Sequence, residues 1–379
     1  MIALTASKAI LLIGAMGFAS MYVLFTVTPV LAAELGGSVA AGLATTVFMA
    51  FTILAQLCTP FALRRFAPSV ILGVALLLLA VPSLAYLTEP TFAAILVAAA
   101  LRGIGFGLVT IVCTVLVTVY STSGKEGSAL GVYGLSTSLT GVVAPALGLV
   151  MLEWWTPLPA IFAFVMPAVG LLLLGVVHRA SPAPRAGSST ASEPRGRVPI
   201  TPMLLTLGIF LPVAIAYGSI YTFLPLATSG AAVALLVFGI GFAAGRLAGG
   251  RLADTWSARA VLVPGILVAA VGMALLALSL ASGAAWIAVL PLSVAAGVVA
   301  SSSLAGMMKA AASHEYGVVS TAWNLTFDLG IAIGGLGVGI LVGAQGFSTA
   351  FFALGALLAL GLVLGLVMLY RERARSWAS

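Results

Sequence analysis

The sequence predicts an all-α integral membrane protein with twelve transmembrane helices in two six-helix halves. Three observations carry that expectation. Of 379 residues, 62% are hydrophobic and only 7% are charged, a surface that water cannot solvate and a bilayer can. Cations recur in every second loop: Lys8, Arg64 and Arg65, Lys125, the 179–197 segment, Arg251 and Arg259, Lys309, and Arg371, Arg373 and Arg375. The intervening loops carry only Glu34, Glu89 and Glu153. This alternation is the positive-inside pattern, and it sets both termini in the cytoplasm. A miscount by one helix would scramble it. Finally, RASPAPRAGSSTASEPRGRVPITP at 179–201 is Pro/Ser/Ala-rich and lacks apolar periodicity. It reads as a cytoplasmic linker between bundles 1–178 and 202–379.

Each apolar stretch approaches the roughly 20 residues that cross a bilayer as helix. In the first half the spans are 9–33, 39–62, 69–88, 92–119, 127–152 and 157–178. The second half gives 202–228, 231–252, 259–281, 284–309, 317–343 and 347–370. Lys8 and the run ending near Ala32 imitate a secretory signal, but that run exceeds the roughly 7–15 residues of a signal core. It is read as the first span. The breaks near 230 and 283 are short Gly/Ser turns. The 43 glycines suit helices whose backbones approach closely in lipid. Interior prolines are compatible with spans whose neighbours satisfy the freed backbone groups.

Several function classes fall away. The net charge of +7 follows from loop topology, so no nucleic-acid partner is implied. Cys58 and Cys113 lie in apolar stretches and read as small buried hydrophobes without a disulfide. Neither His stands near a Cys, so no metal site is expected. No nucleotide-binding loop or catalytic constellation is present, so the chain reads as no enzyme and needs no cofactor. Arginine outnumbers lysine, and alanine and glycine abound, which points to a GC-rich bacterial source and hence the cytoplasmic membrane.

Two charges belong to no loop. Arg102 lies about ten residues into span four, near mid-membrane at about 1.5 Å per residue. A charge at that depth costs at least about 2.5–3.5 kcal/mol, so it must face protein or a water-filled cavity. Three roles suit it: holding an anionic substrate group, influencing the pKa of a nearby carboxylate, or bonding helix backbone to hold its half together. Asp328 lies about as deep in span eleven and is the only acidic residue deep in any span. Such a carboxylate can take a proton from one side and release it to the other, or it can pair locally and pack its helix. Asn324, four residues earlier, should share its face. Trp323 and Phe327 form an aromatic stripe suited to a flat or cationic substrate. Tyr22 and Phe25 in span one, and Tyr217, Tyr221 and Phe223 in span seven, are cavity-lining candidates or plain packing. Ser301, Ser302 and Ser303 could offer hydroxyls to a ligand or bond their own backbone, and Gln56 is a possible polar lining residue. Arg246, Asp254 and Arg259 read as a cytoplasmic gate cluster whose ionic contacts form in one state and break in another. His314 and Glu315 are expected to be solvated.

The loop GRLAGGRLADTWSAR after span eight carries Gly250, Leu252, Ala253, Asp254 and Arg259 in the order G-x-L-A-D-x-x-x-x-R. Span four reads Leu101-Arg102-Gly103-Ile104-Gly105-Phe106-Gly107, and span five places Gly141, Ala144, Pro145 and Gly148 in a glycine–proline pattern. In these motifs, the span count and the linker, the chain resembles the major facilitator superfamily over its whole length. The loop after span two keeps Ala62 and Arg64, but Leu63 stands where that family has an aspartate. Its charge relay is therefore expected to survive in the second half, with Arg64 a lesser gating candidate. The resemblance implies that spans 1, 4, 7 and 10 line a central cavity, 2, 5, 8 and 11 flank it, and 3, 6, 9 and 12 face lipid. It also implies alternating access by rocking halves. Ala144 replaces a glycine of the antiporter-associated fifth-span motif.

The function expected is secondary active, proton-coupled efflux of a small amphipathic or cationic molecule by a monomer in the bacterial cytoplasmic membrane. Partners would be that substrate, protons and the lipid bilayer. The alternatives are an importer, symporter or facilitator of a sugar, amino acid or metabolite, and a non-transporting receptor or assembly factor on the same fold.

Overall fold

A computed structural model describes residues 5–121, 125–179, 200–256, 258–312 and 315–376. Helix is the only regular structure among them. In chain order the helices are α1 (Ala6–Leu63), α2 (Pro68–Ala80, extended by the 3-10 turn Val81–Tyr86), α3 (Phe92–Val119), α4 (Glu126–Trp154) and α5 (Leu158–Arg179). They continue with α6 (Ile200–Ala227), α7 (Ala231–Thr255), α8 (Ala258–Ser279), α9 (Ala285–Ala310) and α10 (Tyr316–Ser376).

The described residues thus form 10 helical segments long and apolar enough to cross a membrane, and the first and last of these each contain two helices, so all twelve expected spans are present. α1 has 58 residues and α10 has 61, so at about 1.5 Å per residue each is roughly three times as long as a bilayer core is thick. Each joins two of the expected spans across a kink. The kink in α1 is at Gly36 and Gly37, with Gly37 at φ 67°, and that in α10 is at Gly346, with φ 82°. A residue with a Cβ is disfavoured at such φ values, whereas glycine adopts them freely. The connections are so short that helical hydrogen bonding resumes directly beyond the glycine.

Other boundaries follow ordinary rules. Thr91 caps α3 by accepting from the Ala94 N–H at 3.3 Å, as an N-cap threonine does. Pro68 opens α2 at a first-turn position where its missing N–H costs nothing. Gly283, at φ 71°, makes the turn into α9. The linker expected at 179–201 falls mostly on residues outside those described.

The chain divides into two compact units, Met1–Ser188 and Ser189–Ser379. In the first, the part of α1 after the kink packs against α3. A Cβ on Gly103 would meet the Phe48 carbonyl oxygen, and one on Gly107 would lie 2.5 Å from that of Thr52. The part of α1 before the kink packs against α4, where a Cβ on Gly148 would lie 2.5 Å from the Val23 carbonyl oxygen. α2 packs against α5, with Gly73 beside Leu174. The second unit repeats this pairing order. α7 meets α9 through Gly245 and Gly249, which lie against Val294 and Val298. α6 meets the first part of α10 through Gly330 and Gly334, against Ala214 and Ile215. α8 meets the second part of α10 through Gly355. In lipid, where no hydrophobic force drives helices together, this close backbone contact supplies the attraction.

Gly103→Ala should therefore force α1 and α3 apart and destabilise the first unit by about 1–3 kcal/mol, as overpacking does. Gly131→Ala, where nothing lies within 4 Å of the new Cβ, should leave stability unchanged. Thermal unfolding of the two variants in the same detergent checks the contrast.

Candidate functional site

Arg102 is 2% exposed, and the structure shows why α3 tolerates it. Nη1 donates to the Leu79 carbonyl and to Ser83 Oγ, both at the end of α2. Nη2 donates to the Ser20 carbonyl at 2.8 Å and to Ser20 Oγ at 3.4 Å, on α1. The two serines are oriented by bonds of their own. Ser83 Oγ donates to Leu79 O at 2.9 Å and Ser20 Oγ donates to Ala163 O, on α5, at 2.7 Å. Their oxygens are then free to accept from the guanidinium. One cation thus ties α3 to α1 and α2 directly, and to α5 through Ser20. Of the roles open to Arg102, bonding to helix backbone and the two serines accounts for both terminal nitrogens.

The glycines of this motif act with it. Gly105 packs against α2, 2.7 Å from the Ala75 carbonyl oxygen to a Cβ built there, while Gly103 and Gly107 face α1. Thr52 Oγ1 lies 3.1 Å from Gly103 O. Tyr22 of α1 lies against Gly141 of α4, whose Cβ would meet its Oη at 3.2 Å, and Thr26 Oγ1 donates to Pro145 O at 3.0 Å. The glycine–proline pattern of span five is thus the seat of the first half of α1. Phe25 is buried and rings with Phe48 at 5.9 Å.

The second unit brings together the aromatic residues singled out in the sequence. Trp323 stacks on Phe210 at 4.7 Å and 14°, and on Phe327 at 5.8 Å and 8°. Phe327 meets Tyr217 at 5.0 Å, and Tyr217 meets Tyr221 at 4.7 Å and Phe242 at 4.9 Å. Phe238 closes the group against Tyr221 at 5.5 Å. Such pairs contribute about 0.5–1.5 kcal/mol each beyond burial. The Trp323 indole N–H donates to Ser303 Oγ at 3.0 Å, and that serine donates to Ala300 O at 2.9 Å. Ser302 Oγ donates to Gly249 O at 3.1 Å. Sequence reasoning did not find Phe210, Phe238 or Phe242, because only the tertiary fold brings α6, α7 and α10 into register.

Asp328 is 8% exposed, one residue beyond Phe327 and within the same unit. Asn324, expected beside it, is exposed and turns back to its own helix, donating through Nδ2 to Ser320 O at 2.8 Å. The i, i+4 spacing brings the two residues to neighbouring positions, but their side chains lie in different environments. Gln56 Nε2 lies 3.4 Å from Thr110 Oγ1.

At the loop after α7, Asp254 pairs with Lys309 of α9, Nζ to Oδ1 3.1 Å, and Nζ also donates to Ala253 O at 2.6 Å. The sequence reading placed Lys309 among the topology cations and missed this contact. Its signal was position: a cation in the last turn of α9, able to reach the negative end of another helix. No ion pair joins Arg246 to Asp254 among the described residues, and Arg246 is exposed. The Arg259 side chain lies outside the described residues. Arg64 is exposed, its guanidinium carbon 5.8 Å over the Phe61 ring of its own helix.

Two expectations are corrected. Glu315 is 5% exposed rather than solvated: Oε2 folds back to accept from the Ala312 N–H at 2.9 Å, ahead of α10. Cys113 is buried as expected, but Cys58 is exposed, because its position on α1 faces outward. His314 lies outside the described residues.

The family model described as Major Facilitator Superfamily matches residues 10–335 and 227–379. The chain belongs to the major facilitator superfamily. It is therefore a multi-pass membrane transporter and not an enzyme. A search of curated proteins finds no match. Among solved structures, a bacterial homologue of the human lysosomal transporter Spinster, inward-facing and unoccupied, is similar with TM-score 0.77 and 15% identity over 96% of both chains. The human organic anion transporter TETRAN gives TM-score 0.67 and 18% identity over 95% of this chain and 98% of that one. A POT family transporter in complex with 5-aminolevulinic acid gives 0.73 and 12% over 96% and 95%. At these identities the likeness is one of fold.

Removing one acceptor of the buried guanidinium should be costly. Ser83→Ala is expected to lower stability by about 1.5–3 kcal/mol, the range for hydrogen bonds to charged groups. Arg102→Lys, which cannot reproduce the fork, should cost more. Lys309→Ala should cost no more than about 1 kcal/mol, since its partner is solvent-exposed. Melting curves of the purified variants rank the three.

Proposed function

We infer that this transporter is a secondary active, proton-coupled exporter of a small amphipathic or cationic molecule, working by alternating access of two six-helix halves joined by the 179–201 linker. The observation that carries the reading is Asp328. It is an acidic residue inside a membrane helix, 8% exposed, next to an aromatic group that includes Trp323, Phe327, Tyr217 and Tyr221. An intramembrane carboxylate is expensive to keep, and proton relays are its commonest use. In the proposed cycle Asp328 accepts a proton from outside and releases it inside as the substrate leaves in the opposite direction.

Outward transport is supported by the fifth-span pattern of Gly141, Ala144, Pro145 and Gly148, which resembles the family's antiporter motif. The loop cations support a bacterial cytoplasmic membrane with both termini inside. Asp254 and Lys309 form the contact most suited to a cytoplasmic latch, with Arg246, Arg259 and Arg64 as surrounding charges. Arg102 holds the first half together and thereby sets the positions of α1 and α3. The chain is read as acting as a monomer.

Proteoliposomes carrying a pH-sensitive dye, challenged with a panel of amphipathic compounds, should show compound-dependent proton release. Asp328→Asn should abolish gradient-driven transport while leaving insertion and melting temperature intact. Full gradient-driven activity in that variant would sink the assignment. Inverted vesicles under an imposed pH gradient check the direction, since uptake into them reports export.

A further inference from the structure

Arg246 stands on the packed face of α7 and is nevertheless exposed. It follows Leu235, Gly239 and Phe242 by eleven, seven and four residues and precedes Ala253 by seven, spacings that set all five on one side of a helix. Leu235, Gly239 and Ala253 are buried, and Phe242 is half-buried. The backbone is close-packed here too, since a Cβ on Gly297 of α9 would lie 2.8 Å from the Arg246 amide nitrogen. The neighbours that cover this face above and below Arg246 therefore leave its side chain open. It lies fifteen residues after Ala231 and nine before Thr255, about 14 Å of rise from the end of the helix. A guanidinium at such depth is costly against lipid and belongs against protein or water. Side chains of a helix lean towards its N-terminus, so Arg246 leans towards Phe242 and away from Asp254.

No acceptor or carboxylate among the described residues meets this guanidinium. Asp254, the one acid of α7, is paired with Lys309 at 3.1 Å, and Asp328 is 8% exposed with an interaction of its own. The side chain thus presents a permanent charge and a planar fork of donors to the opening, with an aromatic ring one turn away. A ligand that complements it brings acceptor oxygens and negative charge on an apolar body. A cationic group would be repelled at the same place. We propose that Arg246 receives the anionic group of the transported molecule, a carboxylate, sulfonate or phosphate, with Phe242 as its apolar neighbour. This assignment rests on the transporter reading and narrows its substrates to amphipaths that carry an anionic group. It gives Arg246 a duty beyond that of a charge near the Asp254–Lys309 contact.

The test uses the full chain in phosphatidylcholine nanodiscs, titrated calorimetrically with 2-naphthalenesulfonate and with 2-naphthyltrimethylammonium. The two probes share a ring system and carry opposite, permanent charges. The sulfonate is expected to bind, and the cation is not. Arg246→Gln should weaken the sulfonate about tenfold or more, the loss of roughly one charge-assisted hydrogen bond. Its melting temperature should not change, because the side chain is exposed. Arg246→Lys keeps the charge without the fork and should bind with intermediate strength. Arg251→Gln removes another exposed cation of α7 and should bind like the parent. The proposal is overturned if the cation binds as well as the sulfonate, or if the folded parent binds neither. It is equally overturned if Arg246→Gln binds like the parent, or if Arg251→Gln is weakened as much. Loss of sulfonate binding in discs doped with phosphatidylglycerol would assign Arg246 to lipid headgroups and also overturn it. Counterflow of the labelled sulfonate in proteoliposomes separates the two readings. Binding without counterflow would remove the transport reading, and with it the substrate role, and leave an anion site. Proton-coupled counterflow of other compounds that Arg246→Gln leaves unchanged would sink the site and keep that reading.

Discussion

The first unit depends on one buried cation. Arg102 sits where a bilayer penalises charge most, and the penalty is offset by carbonyl and hydroxyl acceptors from α1 and α2. The attraction is directional, because a guanidinium presents its donors in a fixed plane. Leu79, Ser83 and Ser20 must therefore converge at one height in the bundle. Ser20 passes the constraint on to Ala163 of α5. Removing the charge would leave polar groups without partners in a place that water does not reach, which is costlier than never having buried them.

That convergence is possible only because backbones approach closely around it. Gly103, Gly105 and Gly107 present α3 to α1 and to α2 with no side chain between. The motif is thus one device: an arginine supplies the bonds and the glycines supply the distance. The second unit keeps the pairing order of the first but reaches it differently. Its close contact is made by Gly245 and Gly249 of α7 against α9, and its interior is filled by stacked rings around Phe210 and Trp323. One bundle adds a buried charge to its glycine contacts, and the other adds stacked rings.

Spans and their order were legible in the sequence because bilayer physics acts on every residue locally. Apolar length, loop cations and the glycine at each short connection report directly on crossing. Two pairs of spans meet at Gly37 and Gly346 with only a kink between their helices. Candidate residues were legible by type, as with Arg102, Asp328 and the aromatic stripe, because charge and rings inside lipid are rare and expensive. Their partners were not legible. Ser20, Ser83, Phe210, Ser303 and Tyr86 look like ordinary residues of apolar helices, and nothing within one helix shows which neighbour lies opposite. Asn324 illustrates the limit: shared spacing with Asp328 did not give a shared environment, because Ser320 on its own helix supplied the nearer acceptor.

By itself, then, the sequence determined a membrane transporter of the major facilitator superfamily, since hydropathy, loop charge and motif spacing are local properties of the chain. Only the tertiary structure decided what each deep polar residue does. It directed the terminal nitrogens of Arg102 to helix ends, gave Asp254 to Lys309, and drew Glu315 inward onto the Ala312 amide. Those outcomes depend on contacts between segments far apart in sequence, set by how closely glycines let helices approach and by the need of every buried donor for an acceptor.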